Sequence, residues 1–194
     1  QLLTENGGEE MTDYTQVDHL PTHGRRVVFQ GVEGAYSFGA MKEFFDDTIT
    51  SFHVDTWKEA MEAITKGEAD YAVLPIENST AGIVSDIYDL LVEYPHYIVG
   101  EQELPVEHVL MALPGAKVED IRTVISHPQA LAQCRRFLDS NENWKTEERL
   151  NTAAAAKEVS ESGDLTMAAV GSPYAAEHFG LQILKEGIFD ARGN

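Results

Sequence analysis

The sequence predicts an α/β protein with mainly parallel sheets and helices on both sheet faces. Three observations lead there. Short, uninterrupted apolar runs recur, such as Val27-Val28-Phe29 and Tyr71-Ala72-Val73-Leu74. Runs that are apolar at every position suit strands covered on both sides. Between them lie stretches with apolar residues at helical spacing. The junctions carry Gly, Ser, Thr, Asn and Pro, which open helices and turn chains. Alternating strand and helix requires crossover connections, and hence parallel pairing.

The 194 residues suffice for a sizeable core. A net charge of −19 argues against nucleic acid and anionic membrane partners, since both need a basic surface. The single cysteine, Cys134, excludes an internal disulfide, and its helical spacing with Ala130, Leu131, Phe137 and Leu138 marks a small core residue. No apolar stretch is long enough to span a bilayer, and none follows a basic leader. The cytoplasm is therefore the expected compartment. The chain starts at Gln1, which reads as a fragment or a processed end.

Taken in order, 1–24 is polar and acidic, a linker or tail in which only Gln1-Leu2-Leu3 resembles the end of a preceding helix. Val27-Val28-Phe29 forms the first strand, and a loop with Gly31 and Gly34 leads into a helix carrying Phe38, Met41, Phe44 and Phe45. A strand over 48–54 precedes a helix capped by Asp55 or Thr56, with Trp57, Ala60, Met61 and Ile64 as its stripe. Gly67 ends that helix. The strand 71–74 then stops at Pro75, before Glu77-Asn78-Ser79-Thr80 and a helix over 83–94.

Two extended segments, 97–103 and 107–113, flank Pro105 and suit a crossover between lobes. The strand 121–125 runs into Ser126-His127-Pro128-Gln129 and a helix reaching Leu138; Pro128 fits the first helical position, with Ser126 or His127 as cap. A strand over 144–150, a helix capped by Asn151-Thr152, a strand over 166–170, a helix opened by Ser172-Pro173 and a strand over 181–186 complete the chain. The grouping gives residues 1–24 as the tail and 25–194 as one two-lobed domain. Its first lobe covers about 25–104 plus a C-terminal return over 181–194; its second covers about 105–180.

Three strand-to-helix loops concentrate polar side chains: 30–37, 77–82 and 126–129. Helix N-termini present unpaired N–H groups and partial positive charge, so such loops hold anions without Lys or Arg. Their convergence would make a carboxylate site inside an acidic protein. His127 serves there either as a cap or as a ligand contact. Glu77 suits loop orientation or a contact to a substrate hydroxyl better than proton transfer. The other histidines are dispersed and no CxxC occurs, so no metal site is expected.

These loops carry a family resemblance. Phe29-Gln30-Gly31-Val32-Glu33-Gly34-Ala35-Tyr36-Ser37, the run 67–91 around Pro75-Ile76-Glu77-Asn78-Ser79-Thr80, and the run 126–138 opened by Ser126-His127-Pro128-Gln129 resemble the catalytic domain of prephenate dehydratases, as do the weaker matches at 151–159 and 180–190. The resemblance covers 26–194. It implies two lobes like those of type II periplasmic binding proteins, with the active site between them. It implies conversion of prephenate to phenylpyruvate in phenylalanine biosynthesis, without cofactor or metal. Carried over by position, Gln30, Ala35, Tyr36, Ser37, Glu77, Asn78, Ser79, Thr80, Ser126, His127, Pro128 and Gln129 would line the substrate.

The family's Thr-Arg-Phe motif, whose Thr assists loss of the hydroxyl, would follow Asn194. Little activity is therefore expected of this chain. A chorismate mutase domain upstream and a homo-oligomeric, dimeric intact protein are further expectations of the resemblance. Arogenate dehydratase, and a non-catalytic small-anion binder of the same fold, are the alternatives.

Overall fold

The computed structural model describes residues 2–6, 13–17, 20–78 and 82–190, with side chains described for 20–77 and 84–190. Two compact units emerge: 1–31 with 40–103, and 32–39 with 104–194. At the N-terminus, β1 (Leu2–Asn6) and β2 (Asp13–Val17) pair antiparallel. Where the sequence suggested a helix end at 1–3, residues 2 and 3 lie in this hairpin.

In the first unit, β3 (Arg26–Gln30) runs parallel between β4 (Thr50–Val54) and β5 (Tyr71–Val73). Its central position explains the continuous apolar run: Val27, Val28 and Phe29 are all buried. One sheet face packs Val28 against Ala60, Ala63 and Ala69, with Phe52 and Ile64 beside them. Ala60 and Ala63 belong to α2 (Trp57–Thr65), and their small side chains suit close packing on the sheet. Thr56 caps α2 in a reciprocal box: its Oγ1 accepts from Glu59 N at 3.2 Å, and Glu59 Oε2 accepts from Thr56 N at 2.9 Å. The start of β3 is tied to the start of β5 by Asp70, whose carboxylate accepts the Arg26 backbone N–H at 2.8 Å and the Arg26 guanidinium at 3.2 Å. That backbone bond, more than the nearby guanidinium, holds the Asp70 carboxyl below its ordinary value. The helix α1 (Tyr36–Phe44) starts in the second unit and ends in the first.

The stretch after β5 departs from expectation. Instead of passing directly into a helix, it forms a short antiparallel pair, β6 (Glu77–Asn78) with β7 (Gly82–Ile83), and α3 starts only at Ser85 (Ser85–Glu93). Glu77 and Asn78 therefore sit in a ladder, away from a helix N-terminus. Residues 95–108 form no strand. Pro95 and Pro105 supply no N–H, and Glu101, Gln102 and Glu103 are exposed, so the extended segment expected over 97–103 joins no strand ladder among the described residues.

The second unit holds a five-stranded mixed sheet. Its strands are β8 (Val109–Ala112), β9 (Thr123–Ser126), β10 (Lys145–Glu148), β11 (Met167–Gly171) and β12 (Gln182–Lys185). Their order is β10-β9-β11-β8-β12; β10, β9 and β11 are parallel, while β8 pairs antiparallel with β11 and β12. Strand β12 thus joins the second sheet, where a return of 181–194 to the first lobe was expected; 191–194 lie outside the described residues. Its alternating burial suits an edge, whereas β8 is buried throughout.

Successive residues of the central strands face opposite layers. Leu110, Ala112, Val124, Ala168 and Val170 pack with Ala130, Cys134 and Leu138, which come from α4 (Pro128–Gln133), α5 (Arg135–Asp139) and the residue joining them. Val109, Met111, Ile125 and Ala169 pack with α6 (Thr152–Ser162) and α7 (Pro173–His178). Helices therefore cover both faces. The single helix expected after Pro128 is broken at Cys134, which stays buried in the core as expected. Among the described residues, no helix is long and apolar enough to cross a membrane.

Candidate functional site

The predicted site residues divide between the units. In the first, Gln30 ends β3 with both ends of its amide engaged: Nε2 donates to Asp55 O at 3.2 Å, and Trp57 Nε1 donates to Gln30 Oε1 at 3.1 Å. This fixes the side chain where the strand meets the following loop. Glu77 is exposed. Asn78 is described by its backbone alone, and Ser79 and Thr80 lie outside the described residues.

In the second unit, His127 is the cap of α4. Its Nδ1 accepts the Gln129 N–H at 3.2 Å, and Pro128 occupies the first helical turn, where a missing N–H costs nothing. Pro128 and Gln129 are exposed. Ser126 is different: it is fully buried, and its Oγ donates to Val170 O at 2.6 Å. That hydroxyl ties β9 to β11 inside the sheet, which sets Ser126 apart from the exposed Pro128 and Gln129.

Ala35, Tyr36 and Ser37 form the turn into α1, with the Ala35 N–H on Val32 O at 3.1 Å. The Tyr36 ring points into the second unit. Its hydroxyl donates to Glu107 O at 2.8 Å and lies 3.3 Å from His108 Nδ1. His108 is buried, and its Nε2 lies 2.8 Å from Gln133 Oε1 on α4. An amide oxygen only accepts, so the His108 proton belongs on Nε2 and Nδ1 is left as an acceptor facing the phenol. Burial lowers the His108 pKa below 6.5, opposed by the Gln133 bond. Burial also pushes the Tyr36 phenol well above 10, with Cys134 and Glu107 adding to the effect. The relay is therefore neutral: a protonated phenol against an uncharged imidazole.

An open cavity of about 600 Å³ lies over this relay, lined by 105–108, Glu186, Gly187 and Phe189. The Phe189 ring sits 5.8 Å from that of His108. Behind the relay, burial and then the Asp190 carboxylate push the Cys134 thiol up to about 12, which leaves it protonated and unreactive. Among the described residues, no group of three His, Cys, Asp or Glu is placed to hold a metal ion.

Sequence reasoning had singled out Tyr36 but not its partners. His108 sits at the border of the polar run 101–107 and the apolar run 109–112, and that border was the available signal. Gln133 and Phe189 lie inside the matched stretches 126–138 and 180–190, where nothing in their local pattern singles them out.

Parallel βα units with polar loop tips, and a cavity over neutral hydrogen-bonding groups, are features of the α/β class in which loop ends and clefts hold ligands. The family model for prephenate dehydratase matches residues 27–194, and the chain belongs to that family. Arogenate dehydratase 1 of Petunia hybrida is 40% identical over 207 residues, covering 99% of this chain and 49% of the relative. The bifunctional chorismate mutase/prephenate dehydratase of Escherichia coli (strain K12) is 36% identical over 182 residues, covering 92% of this chain and 47% of the relative. Among solved structures, GqqA, described as a novel type of quorum quenching acylase, is 38% identical with a TM-score of 0.77, covering 86% of this chain and 60% of that one. The chain spans about half the length of these curated relatives.

Proposed function

We propose that the chain orients prephenate for decarboxylative dehydration to phenylpyruvate, a step of phenylalanine biosynthesis. The family match across 27–194 carries this reading. In the reaction the C–CO₂ bonding pair moves into the ring, the ring C–O bond breaks, and the departing hydroxide takes a proton to leave as water. Aromatisation drives the step. The protein has to fix the geometry, assist the leaving oxygen and exclude water.

Gln30, Ala35, Tyr36, Ser37, Glu77, Asn78, Ser79, Thr80, His127, Pro128 and Gln129 are the proposed substrate-facing positions. In support, Gln30 is held rigidly by Asp55 and Trp57, and His127 and Gln129 form the capped end of α4. Tyr36 would act through its place in the turn, since its hydroxyl is committed to Glu107.

Arogenate, which bears an ammonium in place of the keto group, is a second reading. Glu107 and Glu186 stand at the cavity rim, and carboxylates there favour a substrate that brings a positive charge. The acylase activity named for GqqA finds no activated nucleophile in this cavity, where the nearest thiol, Cys134, is buried and protonated.

Calorimetric titration of the purified chain with prephenate and with arogenate tests the proposal, alongside an assay for released carbon dioxide. Saturable binding of one or both is expected. Absence of binding by both overturns the reading.

A further inference from the structure

Ser172 lies at the N-terminus of α7 and is fully buried. Its hydroxyl does two things at once. It accepts the Ala175 N–H at 3.1 Å, which caps α7, and it donates to Gly34 O at 2.6 Å. A cap needs only an acceptor. The second bond needs a donor, and it reaches the turn that opens α1.

That turn is pressed hard against α7. Gly34 has a φ of +87°, and a Cβ there would lie 2.9 Å from the Ala175 Cα. At Gly39 a Cβ would collide with the Tyr174 ring. Both glycines give a close approach between backbone and α7, but shape alone leaves the turn free to slide or tilt. The Ser172–Gly34 bond fixes its height on α7, and Tyr36 on Glu107 fixes its rotation. Together they aim the first-turn amides of α1.

We infer that Ser172 is a positioning residue for the 34–37 turn: it sets the direction of the α1 amides that meet substrate while never touching substrate itself. This rests on the dehydratase reading, in which 35–37 face the ligand. Asn151 supplies the control. It also caps a helix, its Oδ1 accepting from Ala154 N at 2.7 Å, but its side chain has no corresponding bond to the α1 turn.

The test compares Ser172→Ala, Ser172→Thr and Asn151→Ala in the full chain, by hydrogen exchange over 33–38 and by titration with prephenate and arogenate. Losing one buried hydrogen bond corresponds to about a tenfold effect. Ser172→Ala should therefore speed exchange over 33–38 and weaken binding by about that factor. Ser172→Thr, which keeps donor and acceptor, should restore both. Asn151→Ala should lower thermal stability without moving either readout.

Unchanged exchange over 33–38 in Ser172→Ala overturns the inference. So does a loss of binding no greater than that of Asn151→Ala. A wild-type chain that binds neither compound overturns the dehydratase reading and the positioning role with it, and the wild-type titration alone tells that failure from the other two.

Discussion

The Tyr36 hydroxyl donates to the Glu107 carbonyl at 2.8 Å, binding the first turn of α1 to the segment that leads into β8. Tyr36 is half-buried, and the carbonyl has no other described donor. Replacing Tyr36 by Phe removes it while keeping the ring. The expected cost is about 1–2 kcal/mol, because the carbonyl loses its partner. Urea denaturation of wild type and Tyr36→Phe measures it. The raised phenol pKa adds a second signature: stability from Tyr36 is fully present below pH 10 and is lost as pH rises through the higher folded value. The wild type should therefore lose stability on alkalinisation above pH 10 faster than Tyr36→Phe.

His108 gives the opposite pH dependence. Its folded pKa lies below 6.5, so as pH falls the unfolded chain takes up the proton first. The stability it contributes is present above pH 6.5 and drains away as pH falls from there towards the folded value. The partners of its ring, Tyr36, Gln133 and Phe189, carry no charge in that range, and burial outweighs the Gln133 bond although Glu107 and Glu186 line the same cavity. His108→Gln cannot titrate. It should be less stable at pH 7 yet show a flatter slope between pH 7 and 5. Equal slopes in the two proteins would show that His108 is not desolvated.

Much of this architecture is legible in the residues themselves. Val27, Val28 and Phe29 are apolar at every position because β3 is flanked on both sides. Thr56, Asn151 and Ser172-Pro173 open helices where their chemistry says they should. The misses share a cause, which is that they depend on partners distant in sequence. The strand ending at Lys185 is evident from its pattern, but nothing local says it joins β8 in the second sheet. The β6–β7 ladder is too short to leave a period. Ser126 looks like a loop hydroxyl until β11 is placed beside it, and His108 looks like a lone histidine until Gln133 and Tyr36 meet it.

Ser126 separates a packing role from a ligand role. Its hydroxyl donates to Val170 O at 2.6 Å with no exposure to solvent. Ser126→Ala should cost about 1–2 kcal/mol of stability by stranding the carbonyl. Binding of prephenate or arogenate, measured well below the melting temperature, should stay within about twofold, a change smaller than one hydrogen bond provides. A tenfold loss of affinity in a folded variant would return Ser126 to the list of ligand contacts.

Gly34 tests how tightly the α1 turn sits on α7. A side chain there meets two obstacles: a φ of +87°, and a contact of 2.9 Å with the Ala175 Cα, which is backbone and cannot swing aside. Gly34→Ala should destabilise by roughly 1–3 kcal/mol. Gly67→Ala, also at positive φ but with open space around the added carbon, isolates the conformational part. The excess of the first over the second, read from denaturation midpoints, is the packing part. No excess would mean that the turn lifts off α7 at little cost.

Asp190 explains the break in the helix after Pro128. Its carboxylate accepts the Arg136 N–H at 3.1 and 3.3 Å, capping α5 from a remote part of the chain, and its own N–H donates to Gln133 O at 2.7 Å. The bonds of α4 are thereby ended and those of α5 started within three residues, around a Cys134 with φ −116° and ψ 18°. Without the carboxylate, the first amides of α5 lose their acceptor. Asp190→Ala should cost about 1–2 kcal/mol, the range for a helix cap. Asp190→Asn, which keeps an acceptor oxygen, should recover most of that. Because the same residue follows Phe189, hydrogen exchange should rise in Asp190→Ala at both 134–138 and 106–110, where the His108 ring loses its neighbour. Faster exchange at 134–138 alone would show that the cap and the His108 contact are independent.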